Sequence, residues 1–99
     1  MDETEELRQK LEIEAGIADW KLLKPHFDRG AVVIVKNGFN IIDIGLQIAC
    51  NNTEQVQEWI STGTLIKPTL PQIESWEEKT LSFHSLVVAP FVLIQEIKH

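Results

Sequence analysis

The sequence contains one set of side chains whose types suit nucleophilic chemistry. Cys50 is the only cysteine, His84 can act as a base, and Asp43 can orient a histidine. Thiol catalysis needs a base within hydrogen-bond reach of the sulfur and a third group that holds the base. The three side chains become neighbours if the C-terminal segment pairs with the end of a strand that contains Asp43 and Cys50. The competing interpretation is that Cys50 is a small packing residue and His84 an ordinary strand residue.

Arg29 is a further candidate, for binding rather than catalysis. It stands beside Gly30 at the predicted end of a helix, where a guanidinium can bind the carboxylate of a ligand. The same position also favours an interaction with the C-terminal end of the helix dipole, which needs no ligand.

The sequence gives little support to nucleotide, metal or nucleic-acid sites. All five glycines are isolated, so neither a P-loop nor a dinucleotide fingerprint is present. The three histidines are far apart and one cysteine cannot form a Cys-x-x-Cys knuckle, so we expect neither a metal nor a cofactor. Basic residues are scattered along a chain of net charge −6, which argues against a nucleic-acid partner.

Length and composition indicate one folded domain over residues 1–99. Hydrophobic residues are 43% of the chain and charged residues 24%, as in ordinary globular proteins. The acidic first segment does not resemble a secretion signal, and the longest apolar run is too short to span a bilayer. A single cysteine forms no intrachain disulfide. We therefore expect a cytoplasmic protein that does not bind membranes.

Capping residues and apolar stripes predict four short helices. Pro25 should delay the second of them to about Leu22 or break it into two turns. The four signals are Leu7, Leu11 and Ala15 before Gly16; Asp19 followed by Trp20, Leu23 and Phe27; Asn52 followed by Val56, Trp59 and Ile60 up to Gly63; and Thr69 with Gln72, Ile73 and Trp76.

Strand signals predict a central hairpin and a C-terminal strand pair. Residues 31–35 are mostly β-branched, Asn37-Gly38 suits a type I′ turn, and residues 40–50 alternate as a second strand. Residues 81–97 form the strand pair, which Pro90 must interrupt at an edge or bulge. Together these elements predict an α+β fold with a mostly antiparallel sheet and about four short helices.

The predicted strands carry more apolar surface than a one-sided sheet needs. Residues 86–94 are apolar on both alternating faces, and the predicted hairpin has a second, half-apolar face. Either helices of the same chain or a second copy of the protein must cover these faces. We favour a homodimer, whose interface residues are then Val32, Ile34, Phe39, Ile41, Phe91 and Val92.

Three stretches of the sequence together carry a family resemblance. They are the aromatic helix face of Trp20, Leu23 and Phe27, the Arg29-Gly30-Ala31 entry into the first strand, and residues 87–95. The chain resembles, over nearly its whole length, a family of small bacterial proteins classed only as a domain of unknown function. The Val-Ala-Pro-aromatic-Val-Leu stretch is the specific part, although Phe91 stands where we expect tryptophan. The resemblance implies a bacterial cytoplasmic origin and no catalytic or binding residues.

Two functional hypotheses follow from these patterns. The first is a non-catalytic interaction or regulatory module that acts as a homodimer or binds another protein. The second is a small-molecule-binding protein or thiol-dependent enzyme with a site near Cys50, His84 and Asp43, where polar groups interrupt apolar strands. We favour the first, because two-sided apolar strands occur here without an assembled catalytic motif.

Overall fold

Helices and strands are interspersed along the chain in the computed structural model, which describes residues 3–79, 81–88 and 91–97. The helices are α1 (Glu3–Glu14), α2 (Trp20–Asp28), α3 (Ile41–Ala49), α4 (Thr53–Thr62) and α5 (Leu70–Glu78). The strands are β1 (Gly16–Asp19), β2 (Val32–Val35), β3 (Leu65–Ile66), β4 (Ser82–Val88) and β5 (Phe91–Glu96). The α+β class is confirmed, with five helices in the described residues rather than about four. The predicted interruption at Pro90 lies outside those residues.

The strands of the described residues form one mixed sheet in the order β1-β4-β5-β2-β3. Strands β4 and β5 are antiparallel, which confirms the predicted C-terminal strand pair. Strands β2 and β5 run parallel, with Val32 beside Val92 and Ile34 beside Ile94. The prediction of a mostly antiparallel sheet built on a central hairpin is therefore wrong. Strand β5 lies at the centre of the sheet.

Helices of the same chain cover both faces of the sheet. Helices α1, α3 and α4 lie on one face, and α2 and α5 lie on the other. The core of the first face includes Leu11, Val35, Ile44, Leu46, Leu65, Leu86 and Leu93. The core of the second includes Trp20, Leu23, Val32, Ile73, Trp76, Phe83, Val92 and Ile94. Strand β5 is apolar on both sides because each side contacts a helical layer.

Residues 40–50, predicted as the second strand of a hairpin, form α3 instead. Asn40 is the N-cap of this helix, and its side-chain oxygen accepts a hydrogen bond from the backbone N–H of Ile42 at 2.8 Å. The alternating isoleucines suit a strand, but positions 41, 44, 45 and 48 also form a helical stripe. Ile41, Ile44 and Gly45 on that stripe are buried. The cap and the packing therefore decide between two periods that this segment contains.

The turn at Asn37-Gly38 explains why β2 forms no hairpin with the segment that follows it. The backbone N–H of Phe39 donates to the carbonyl oxygen of Lys36 at 3.3 Å, which closes a four-residue turn. A type I′ turn needs a positive φ at both central residues, but in this turn only Gly38 has one, at 100°. A positive φ at the third residue alone is the pattern of a type II turn, which splays paired strands. The chain therefore leaves β2 toward α3.

Replacing Asn40 with alanine tests whether residues 41–49 form a capped helix rather than the strand of a hairpin. As the N-cap of α3, Asn40 satisfies a backbone N–H of the first turn, so Asn40→Ala is expected to lower the free energy of unfolding by about 1 kcal/mol. Urea unfolding followed by circular dichroism measures the loss. The control is Asn37→Ala, an exposed turn residue that caps no helix. Equal stability of Asn40→Ala and wild type would contradict the cap.

Pro25 lies inside α2 without delaying or breaking it, so that prediction is wrong. Asp19 caps the helix, and its side chain accepts a hydrogen bond from the backbone N–H of Leu22 at 3.0 Å. Pro25 lacks only the N–H that would reach the carbonyl of Lys21. The burial of Trp20 and Leu23 offsets this one lost bond, because helix stability in proteins comes mainly from packing.

The predicted signals for α4 and α5 are confirmed. The side chain of Asn52 accepts from the backbone N–H of Gln55 at 3.3 Å, and Gly63 ends α4 with a φ of 83°. Thr69 and Gln72 form a reciprocal capping box at the start of α5. Within the described ranges, no helix has both the length and the apolar character needed to cross a membrane.

Candidate functional site

The structure does not bring Cys50 and His84 together. Cys50 is the exposed residue that follows the last turn of α3. His84 lines a cavity beside Ile41 and Ile42, at the opposite end of that helix. Nine helical residues span about 13 Å, so the thiol and the imidazole are far beyond hydrogen-bond reach. The thiol-and-base arrangement depended on a strand at residues 40–50, and that segment is helical.

Asp43 forms an ion pair with a helix instead of orienting His84. Its carboxylate accepts a hydrogen bond from the guanidinium of Arg8 on α1. This hydrogen bond, together with the negative charge of Asp43, raises the pKa of Arg8 above its ordinary value. The pair joins α1 to the first turn of α3, where a carboxylate also favours the helix dipole. Asp43 therefore has a structural role in this arrangement.

Arg29 lies at the C-terminal end of α2, as predicted. Its backbone N–H donates to the carbonyl oxygen of Phe27, and its guanidinium contacts Nδ1 of His26 in the last turn. A cation at this end of a helix interacts favourably with the dipole. These contacts within α2 account for Arg29 without a ligand.

Most of the predicted dimer-interface residues are covered by the chain itself. Val32, Ile41 and Val92 are buried, and Ile34 packs against the core of the α2 and α5 face. Phe39 and Phe91 remain exposed, by 43% and 37%. They lie at opposite ends of the parallel β2 and β5 pair. Of the predicted set, these two phenylalanines are the residues that a partner is able to reach.

An apolar groove of about 330 Å³ lies between α4 and the β3 side of the sheet. Leu93, Leu65 and Val33 from three neighbouring strands line it. The other lining residues are Ile48, Val56, Ile60, Ile66, Lys67 and Phe91. Lys67 is the only charged residue among them. Eight of its nine lining residues are therefore apolar, and the cavity is here called the α4 groove.

Helix α4 packs Val56 and Trp59 partly against the core and leaves the rest of its apolar side open to this groove. It is amphipathic, yet none of its residues is fully buried, whereas α2, α3 and α5 each bury at least two residues. Val56 is half-buried and Ile60 is 53% exposed. The rim continues onto Ile66 of β3, which is 41% exposed. The strand beneath α4 has only two residues, so it is too short to cover the helix.

The sequence predicted the apolar stripe of α4 but not that part of it would stay open. Val56, Trp59 and Ile60 share a helical face, which usually packs inside. The visible signal for an open face was the short extended stretch of Leu65 and Ile66 before Pro68. That signal became interpretable only once the sheet order placed β3 at an edge.

Within residues 3–79, 81–88 and 91–97, no three His, Cys, Asp or Glu side chains converge in a way that would hold a metal ion. The α4 groove likewise contains no nucleophile and base pair among its lining residues. The arrangement offers apolar contact with one positive charge at the rim, which suits binding rather than bond-making chemistry.

Comparisons with known proteins agree with this picture and indicate no catalytic or specific function. No curated protein matches the sequence. The NMR solution structure of PA1075 from Pseudomonas aeruginosa is similar over 100% of this chain and 92% of that chain, with 30% sequence identity and a TM-score of 0.80. A family model described as "Protein of unknown function (DUF2288)" matches residues 6–96. The chain therefore belongs to this family of proteins of unknown function, DUF2288.

Proposed function

We propose that this protein is a non-catalytic interaction module that acts as a homodimer, with the α4 groove as its interface. The observation that carries the proposal is the open apolar face of α4, which has no fully buried residue. Exposed apolar surface of this kind, bordered by polar residues, is typical of protein interfaces. Phe91, a residue of the originally predicted interface, lies on the rim of this groove.

The composition of the groove favours a second copy as the occupant. Eight of its nine lining residues are apolar, and Lys67 is the charged one. In a two-fold interface the same patch lies on both sides, so the apolar side of α4 in one copy meets the same apolar side in the other. Strand β3 is followed by Lys67 and Pro68, which discourage edge-to-edge strand pairing. Contact through side chains of α4 is thus the arrangement that the surface allows.

The exposed thiol of Cys50 supports placing this module in a reducing compartment. Free surface thiols oxidise readily outside such compartments. We therefore propose the cytoplasm as its site of action.

Charge introduced at Ile60 is expected to dissociate the dimer. Ile60→Glu places a carboxylate in the apolar groove, and losses of 2 kcal/mol or more at a central interface residue correspond to about 30-fold weaker association. Native mass spectrometry and sedimentation velocity across a dilution series measure the subunit count. Because Ile60 is already 53% exposed, the far-ultraviolet circular dichroism of the variant should match that of wild type.

The matched control is Ile13→Glu, at an apolar residue on α1 that is 84% exposed and outside the groove. This variant should remain a dimer with wild-type affinity. Wild-type protein that stays monomeric throughout the series overturns the proposal. A dimer that survives in Ile60→Glu overturns the assignment of the interface to the α4 groove.

The volume of the α4 groove favours a second candidate function, small-molecule binding. Its 330 Å³ lies within the range of ligand pockets, and Lys67 offers one charge at the mouth. The same native mass spectra separate the two functions. A monomer that retains an added mass, lost in Ile60→Glu, would favour the apolar ligand over the second copy.

A further inference from the structure

A second cavity, of about 420 Å³, lies between α2 and α5 on the opposite face of the sheet from the α4 groove. Trp20 and Trp76 form part of its apolar wall. Lys21 and Lys24 from α2 and Lys79, which follows α5, also line it. This cavity, here called the lysine cleft, has the size of a small-molecule site.

The lysine cleft gathers positive charge in a protein that is acidic overall. Its three lysines are one third of the nine Lys and Arg residues in a chain of net charge −6. Asp19 and Glu77 also line the cleft, but the ion pair found within 4.0 Å among the described residues involves neither of them and none of the three lysines. Asp19 is occupied as the N-cap of α2. Within the described part of the chain, the three ammonium groups therefore have no fixed counter-charge.

Trp20 adds a hydrogen-bond donor that has no partner. Its side chain is only 7% exposed. In the described part of the chain, the indole Nε1 of Trp20 is the one buried side-chain nitrogen or oxygen without a hydrogen bond. Buried donors normally find an acceptor, because an unpaired one is destabilising. The cleft thus has three ammonium groups along its wall, and the unpaired indole N–H of Trp20 lies buried behind that wall.

We propose that the lysine cleft binds a small organic anion, with a carboxylate or phosphate carried on a flat apolar body. The lysines provide charge-assisted donors for the oxyanion. Trp20 and Trp76 provide the apolar wall for the body. An inorganic ion alone would leave most of the 420 Å³ unfilled, which is why the ligand is organic. The cleft and the α4 groove lie on different faces, so this site does not depend on the dimer.

Tryptophan fluorescence tests the site directly. The chain has three tryptophans, so the variant Trp59→Phe leaves Trp20 and Trp76, both in the cleft. This protein is titrated with phenyl phosphate, benzoate and inorganic phosphate. We expect a saturable change in fluorescence with at least one of the two aromatic anions. Inorganic phosphate should bind with a dissociation constant at least about tenfold higher. Whichever aromatic anion binds more tightly shows whether the site prefers a phosphate or a carboxylate.

Charge reversal in the cleft provides the decisive comparison. Lys24→Glu and Lys79→Glu, from the two sides of the cleft, should each raise the dissociation constant by about tenfold or more, because each removes a charge-assisted contact. Lys10→Glu makes the same change of net charge on α1 and should leave the dissociation constant within about twofold of wild type. No saturable change with either aromatic anion overturns the proposal, as does equal binding by the Lys24→Glu and Lys10→Glu variants. If inorganic phosphate binds as tightly as phenyl phosphate, the proposal that the ligand carries an organic body is overturned.

Discussion

Replacing Phe83 with alanine is expected to lower the free energy of unfolding by about 3–5 kcal/mol. Phe83 is only 1% exposed and belongs to the core of the α2 and α5 face. Its ring packs edge-on against Trp76, with ring centroids 5.0 Å apart, and Trp76 in turn contacts Trp20 at 5.2 Å. Removing the ring leaves a cavity at the end of this aromatic chain. Small domains are stabilised by only about 5–15 kcal/mol, so the loss is a large fraction of the total.

Guanidinium unfolding monitored by tryptophan fluorescence measures the effect of Phe83→Ala. Val87→Ala is the control, because Val87 lies on the same face of β4 but is 54% exposed. This control should change the stability by about 0.5 kcal/mol or less. A loss in Phe83→Ala as small as that in Val87→Ala would mean that the aromatic cluster is not packed as described.

The substitution Gly45→Val is expected to lower the free energy of unfolding by about 1–3 kcal/mol. A Cβ placed on Gly45 would lie 2.6 Å from Cδ2 of Leu86 and 3.2 Å from Cγ2 of Val88. Both neighbours are buried side chains of β4, so they cannot move without disturbing the core. Helix propensity alone predicts the opposite sign, because valine is a better helix former than glycine. The sign of the change therefore reports the close approach of α3 to the sheet.

Thermal unfolding of Gly45→Val and of Gly16→Val makes the comparison. A Cβ on Gly16 of β1 would meet nothing within 4 Å, and valine suits a strand, so Gly16→Val should be neutral or stabilising. Combining Gly45→Val with Leu86→Val shortens the nearest neighbour, and the double variant should lose less than the sum of the two single losses. Purely additive losses would contradict a clash with Leu86.

Local signals predicted the structure well where a few neighbouring residues decide it. The caps at Asn52 and Thr69 and the stop at Gly63 each depend on contacts within three or four residues. The error at residues 40–50 arose because one segment carries both a strand period and a helical stripe. Two local features decide in favour of the helix. The φ of Asn37 is not positive, and Asn40 caps the first turn of α3. Neither is encoded in residue type alone.

Features that depend on distant segments were beyond the sequence. The parallel pairing of β2 with β5 joins residues about 60 positions apart. This pairing places β5 between two helical layers of the same chain, so Val92, which packs against the α2 and α5 layer, was wrongly assigned to a dimer surface. The α4 groove and the lysine cleft have the same origin. Lys79 lines the same cavity as Lys21 and Lys24 only because α5 packs beside α2.

The central place of β5 also determines how the sheet comes apart. In the described residues, β5 is the strand that joins the β1 and β4 pair to the β2 and β3 pair. A two-stranded ribbon is marginal in water by itself, so neither half persists once β5 detaches. Partial opening at the centre is then equivalent to global unfolding, whereas the two-residue β3 can fray alone. The two helical layers are therefore expected to unfold together, as one cooperative unit joined through Val92, Leu93 and Ile94.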